Sequence, residues 1–240
     1  MLNLIFKGIS MKRSVSSRQK GFTLVEIAIV LVIIGLLLGG VLKGQEMIQN
    51  AKVKNLANDL KGVSAAYYAY VDRYKATPGD DNAASSRFAG GQNGGGNGVI
   101  AGLYAAATSP LTAASESNNF WQHTRLSGLM GGSATATTAL PPTHALGGLL
   151  GVQQPAANAN ASTYGMTGPA VCAGSVPWKI AQAVDTLLDD GDSATGTVRA
   201  GTASATANAA TAAATATVYG PAVTATAALE AGLHTLCMKI

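Results

Sequence analysis

The chain has 240 residues, 48% of them apolar and only 12% charged, with two cysteines and 29 glycines. Its formal net charge is +4, but Lys7, Lys12, Arg13, Arg18 and Lys20 place five of the sixteen Lys and Arg in the first 21 residues, leaving eleven against twelve Asp and Glu. The basic balance therefore belongs to the N-terminal stretch and gives no support for nucleic-acid binding. His123, His144 and His234 are scattered along the chain and define no catalytic arrangement.

The N-terminal stretch ends at Lys20-Gly21, and Phe22 to Leu42 follow as 21 residues with Glu26 as their only charge. At about 1.5 Å per residue, a helix of that length spans roughly 30 Å, the thickness of a bilayer core. An ordinary secretory signal is cut after its apolar region. Here the glycine precedes that region, so a cut beside it leaves the apolar helix on the mature protein. A carboxylate within the membrane costs about 2.5 to 3.5 kcal/mol and calls for a partner. The plainer alternative is an interfacial Glu26 that reaches the headgroups.

Beyond the span, Ile48, Leu56, Leu60, Val63, Tyr67, Tyr70 and Tyr74 recur at helical intervals, with Lys54, Asn58, Asp59, Lys61 and Asp72 on other faces. The pattern predicts one helix from about Phe22 to Lys75, ended by Thr77-Pro78-Gly79-Asp80-Asp81. Gly35, Gly39, Gly40 and Gly44 each weaken the helix interior by up to about 1 kcal/mol relative to Ala. They fit local melting or close helix packing in a membrane equally well.

The remainder, Ala76 to Ile240, is long enough for one domain. Gly90-Gly91-Gln92-Asn93-Gly94-Gly95-Gly96-Asn97-Gly98 reads as a surface loop, and no Lys-Ser/Thr follows it to make a phosphate loop. The Ala/Thr-rich tract from Ser193 to Ala228 predicts exposed strands in part, with a disordered or O-glycosylated surface as the other reading. Pro177 to Leu188 makes a short amphipathic helix that Gly191 would close. Asp185, Asp189, Asp190 and Asp192 cluster around that glycine and form a weak Ca²⁺ candidate, against the plainer reading of a solvated acidic turn.

Lys20-Gly21-Phe22-Thr23-Leu24-Val25-Glu26, set directly before an apolar run, resembles the processing site of type IV prepilins. The resemblance implies a cut between Gly21 and Phe22 by a prepilin peptidase, N-methylation of Phe22, and an assembly role for Glu26. In that family the carboxylate pairs with the α-amino group of a neighbouring subunit. It also implies an α+β fold, a long N-terminal helix on a C-terminal globular head with an antiparallel sheet. The expected organisation is a leader over 1–21 (ten residues shorter if Met11 is the start), a long helix over 22–75 that spans the membrane in 22–42, and a head over 76–240. The Pro common near the middle of the pilin helix is missing.

Pieces of the head, Pro78-Gly79-Asp80-Asp81, Phe120-Trp121-Gln122-His123 and Leu188-Asp189-Asp190-Gly191 among them, look like a subgroup of prepilin-like proteins with large heads. Related pseudopilins bind calcium there. The implied location is the inner membrane before assembly, with the head outside the cytoplasm, and an extracellular pilus or periplasmic pseudopilus afterwards. That compartment is oxidising, so Cys172 and Cys237 are expected to form a disulfide; closing so long a loop contributes roughly 4 kcal/mol in the chain-entropy account. The expected function is a structural subunit, major or minor, of a type IV pilus, partnered by other pilins and an inner-membrane assembly platform. A type II secretion pseudopilin is the alternative, and a membrane-anchored adhesin or enzyme ranks last, because a simple anchor needs neither the cleavage site nor Glu26.

Overall fold

A computed structural model describes residues 21–104, 116–135, 139–154, 164–202, 219–220 and 232–240. The leader cations before Gly21, and the Ala/Thr-rich tract from 203 to 228 apart from Tyr219 and Gly220, lie outside the described residues. The elements in chain order are α1 (Leu24–Tyr74), α2 (Ala84–Arg87), α3 (Glu116–Leu126), β1 (Leu150–Gln153), β2 (Ala170–Pro177), α4 (Trp178–Leu188), β3 (Val198–Thr202) and β4 (Leu233–Lys239).

Helix α1 runs for 51 residues, Leu24–Tyr74, within one or two residues of the expected limits at Phe22 and Lys75. Lys75 ends it by turning left-handed at φ 53°, its N–H still bonded to the Val71 carbonyl at 2.9 Å, and Pro78 then forbids another turn. Contacts divide the chain at Glu46 and Met47, so the second unit takes in the later half of α1. In the first unit the helix has a segment of mean hydropathy 2.8 in which no side chain is buried. In the second unit Leu56, Leu60, Val63 and Tyr70 are buried, as their spacing predicts, whereas Ile48 is 58% exposed and does not join the core.

The sheet of the second unit has the order β1-β2-β4-β3, antiparallel throughout. Successive strand residues face opposite sides, and the two sides are packed by different partners. Val171 and Ala173 of β2, Val198 and Ala200 of β3 and Leu236 of β4 meet Leu56, Leu60 and Val63 of α1, Phe120 and Trp121 of α3, and Ala181 and Val184 of α4. The alternate residues Ala170, Cys172 and Cys237 pack with Tyr104, Tyr164 and Met166 on the other side. Strand β3 lies within the Ala/Thr-rich tract, so a strand forms there as expected, but Val198 and Ala200 are fully buried where exposed strands were expected.

Cys172 and Cys237 are register partners on β2 and β4, with Cα atoms 4.0 Å apart, and their sulfurs are bonded. The bond ties the two central strands within the second cluster, where both residues are fully buried. Cys172→Ser and Cys237→Ser should each lower the unfolding free energy of the head by about 2 to 5 kcal/mol. Urea unfolding of the detergent-solubilised chain checks this, and equal stability of either variant and the parent would contradict it.

Candidate functional site

Two places concentrate charge in unusual surroundings: the start of α1, and the turns that follow its end. At the start, Thr23 and Glu26 stand three residues apart and satisfy each other. The Thr23 N–H and Oγ1 donate to Glu26 Oε2 at 2.9 and 2.8 Å, and the Glu26 N–H donates to Thr23 Oγ1 at 3.2 Å. This is a capping box, in which a Thr and a Glu three residues on cover helix-start N–H groups that have no partner within the helix. The pattern Thr-x-x-Glu stood in the sequence, and reading Glu26 only as a membrane charge missed it. The cap involves no atom before Thr23, so removing the chain up to Gly21 would leave it intact. Glu26 Oε1 has no partner among the described residues, which leaves one carboxylate oxygen for an incoming cation.

From that carboxylate onward to Leu42 the exposed helix surface is apolar. Phe22, Leu24, Val25, Ile29, Leu31, Leu36 and Leu42 are among the exposed large side chains, with Phe22 at 84% and Leu24 at 90%. So much contiguous apolar surface requires lipid or other apolar helices around it. Among the described residues no atom lies near where a Cβ would stand at Gly21, Gly35, Gly39, Gly40 and Gly44, so no described neighbour requires glycine there.

After α1, the turn Pro78-Gly79-Asp80-Asp81 and the glycine-rich segment fold against α3. Gly79, at φ 93°, passes so close that a Cβ would run into the Glu116 carbonyl. Asp80 accepts from the N–H groups of Asn97 (3.0 Å) and Gly98 (2.6 Å). Glu116 accepts from Gly95 (2.7 Å) and Ala101 (2.6 Å). Both acids are buried, and burial with the adjacent Asp80 raises the Glu116 carboxyl above its ordinary range. Asp81 accepts from the Tyr70 hydroxyl at 2.7 Å and pairs with Arg87. Burial pushes its carboxyl up, but Tyr70, the Ala83 N–H and Arg87 outweigh that and hold it low. The glycine-rich segment is thus a loop, as expected, but one that wraps buried acceptors: Gly91 and Gly94 are buried.

The four candidate calcium ligands do not form one set. Asp185 is buried on α4, accepting from the Tyr219 hydroxyl at 2.6 Å and, more weakly, from the Gly191 N–H at 3.4 Å. Burial raises its carboxyl, with Tyr219 and Gly191 opposing. Asp189 Oδ2 accepts from the N–H groups of Thr197 and Val198, anchoring the start of β3. Asp190 takes Asp192 N–H and the Thr195 hydroxyl, and Asp192 takes Ala194 N–H. Asp185, Asp189 and Asp190 can bring oxygens within 4.8 Å of one another, and Asp192 stands outside that group. Most of their oxygens already serve protein donors, a poor match to a cation that takes six to eight oxygens.

A long apolar N-terminal helix and a C-terminal antiparallel four-stranded sheet make an α+β, pilin-like layout. Residues 16–42 match the family described as the prokaryotic N-terminal methylation motif, and the chain therefore carries the type IV prepilin signature. No curated protein and no solved structure matches the chain. The matched segment holds Gly21, Phe22, the Thr23–Glu26 cap and the exposed apolar face. Such a motif points to a pilin or pseudopilin-like structural protein, processed by a prepilin peptidase, assembled with other pilins and anchored in the inner membrane beforehand.

Proposed function

We propose that this chain is a structural subunit of a type IV pilus, cut between Gly21 and Phe22 and methylated at the new amino terminus. On this reading 1–21 is the leader, 22–42 spans the membrane and 76–240 is the head. The observation that carries it is Glu26, the single carboxylate of the exposed apolar stretch from Phe22 to Leu42, one oxygen held by the Thr23 cap and the other without a partner among the described residues. A cationic α-amino group at Phe22 of a neighbouring subunit supplies the partner. Docking then neutralises two charges while the apolar helices cover one another. Inner-membrane assembly machinery delivers the subunit, and the head takes no part in chemistry.

Pilus and secretion pseudopilus differ in where the fibre goes. The expected result is recovery of the chain in fibres sheared from the cell surface, and its confinement to the envelope would favour the pseudopilin. The acidic turn at Asp185, Asp189, Asp190 and Asp192 is read as a hydrogen-bonded turn that needs no cation. Chelator should therefore leave the melting temperature of the solubilised chain unchanged, and a rise on adding Ca²⁺ would restore the calcium candidate.

A further inference from the structure

His123 lies within α3 and is fully buried. The Gly79 N–H donates to its Nδ1 at 2.9 Å, and its Nε2 lies 2.7 Å from the Gln92 carbonyl. A backbone N–H can only donate and a carbonyl can only accept, so these partners fix the neutral imidazole with its proton on Nε2. One ring thereby fastens both the Gly79 turn and the Gln92 end of the glycine-rich loop to α3. The other end of that loop is fastened differently, with Gly95 and Ala101 on Glu116 and Asn97 and Gly98 on Asp80.

We propose that His123 is an acid-opened latch: a proton arriving at Nδ1 displaces the Gly79 N–H and releases it from α3, while Nε2 keeps the Gln92 carbonyl, Gln122 of α3 keeps the Gln92 N–H, and Glu116 keeps Gly95 and Ala101. The groups that face the ring are Tyr70 of α1, stacked on it at 6.0 Å, Asp80 and Asp81 of the turn, and Arg87 of α2. Burial holds the imidazole below its ordinary value, the backbone carbonyl and the two Asp carboxylates oppose this, and Arg87 reinforces it.

The closed form therefore binds a proton less readily than the open form. Its advantage is complete above the ordinary histidine value of about 6.5 and is lost as pH falls through it. At Glu116 burial raises the carboxyl, with the Ala101 and Gly95 N–H groups opposing and Asp80 reinforcing, and these two N–H bonds do not involve the His123 ring.

The test is residue-resolved amide exchange on the full-length detergent-solubilised chain, corrected for intrinsic rates. Protection of the Gly79 N–H should fall up to about tenfold per unit below about pH 6.5, with Gly95 and Ala101 unchanged. His123→Gln should abolish the pH response at Gly79. His144→Gln should preserve it; His144 is likewise neutral, between the Gly174 carbonyl and the Leu146 N–H, with Asp59 beside it. Flat protection at Gly79, a parallel fall at Gly95, or loss of the response in His144→Gln would overturn the latch. If His123→Gln does not fold, ¹⁵N-histidine ring shifts of the parent decide. Protonation of His123 must track the fall at Gly79, and a ring that stays neutral throughout refutes the proposal.

Discussion

A Glu26→Ala chain is expected to insert and lose its leader normally, yet be missing from the fibre fraction. Removing the carboxylate relieves a membrane cost of about 2.5 to 3.5 kcal/mol, so a chain that used the helix only as an anchor would insert as well or better. A subunit that docks through Glu26 loses the partner of the neighbouring α-amino group and accumulates in the inner membrane. Glu26 also accepts from Thr23 N–H and Oγ1, so the Ala variant loses its cap as well as its charge. Glu26→Gln separates the two, because Gln also serves in a capping box but carries no charge. If charge is what matters, Gln should fail like Ala; if capping is what matters, Gln should assemble. Comparing membrane and sheared fractions, with each variant alone and beside the parent, reads the result. Unchanged recovery of both variants in fibres would remove the assembly role and promote the anchored-protein reading.

Gly21→Val is the second change expected to act almost completely. Among the described residues nothing lies within 4 Å of a Cβ at Gly21, so the branched side chain meets no obstacle from them. A failure to process must then arise in the peptidase, which has to accept the backbone on the leader side of the scissile bond. The expected outcome is full-length precursor in the membrane and no mature chain, with Gly21→Ala partly processed. Gel mobility and N-terminal peptide mass distinguish precursor from product. Normal amounts of mature chain from Gly21→Val would show that the cut lies elsewhere.

What was legible in the sequence follows from how local each signal is. Helix α1 could be read because apolar spacing and Pro78 act within a few residues, and the spacing of Leu56, Leu60, Val63 and Tyr70 marked the buried face. Ile48 broke that pattern because it lies before Leu56, the first buried position of α1, and is itself 58% exposed. Helix α4 was legible for the same reason, but Asp185 was not. Its spacing suited an exposed acidic turn, and the donor that lets it be buried, Tyr219, comes 34 residues later. The glycine-rich segment is a loop, as its composition suggested, but the acceptors of its N–H groups, Asp80 and Glu116, lie outside the segment and could not be read from it. Pairings of this kind are set by tertiary contact and leave no periodic trace. The Thr23–Glu26 cap was within reach of sequence reading and was obscured only because both residues were weighed as membrane and processing features.

The most direct test of the central claim is the mass and sequence of the N-terminal peptide of the chain recovered from the cell envelope. A prepilin-type subunit must begin at Phe22, carry one added methyl group on its α-amino nitrogen, and retain Thr23, Glu26 and the apolar helix. A chain that still carries residues before Phe22, or one cut beyond Leu42 so that the helix is lost, would contradict the account.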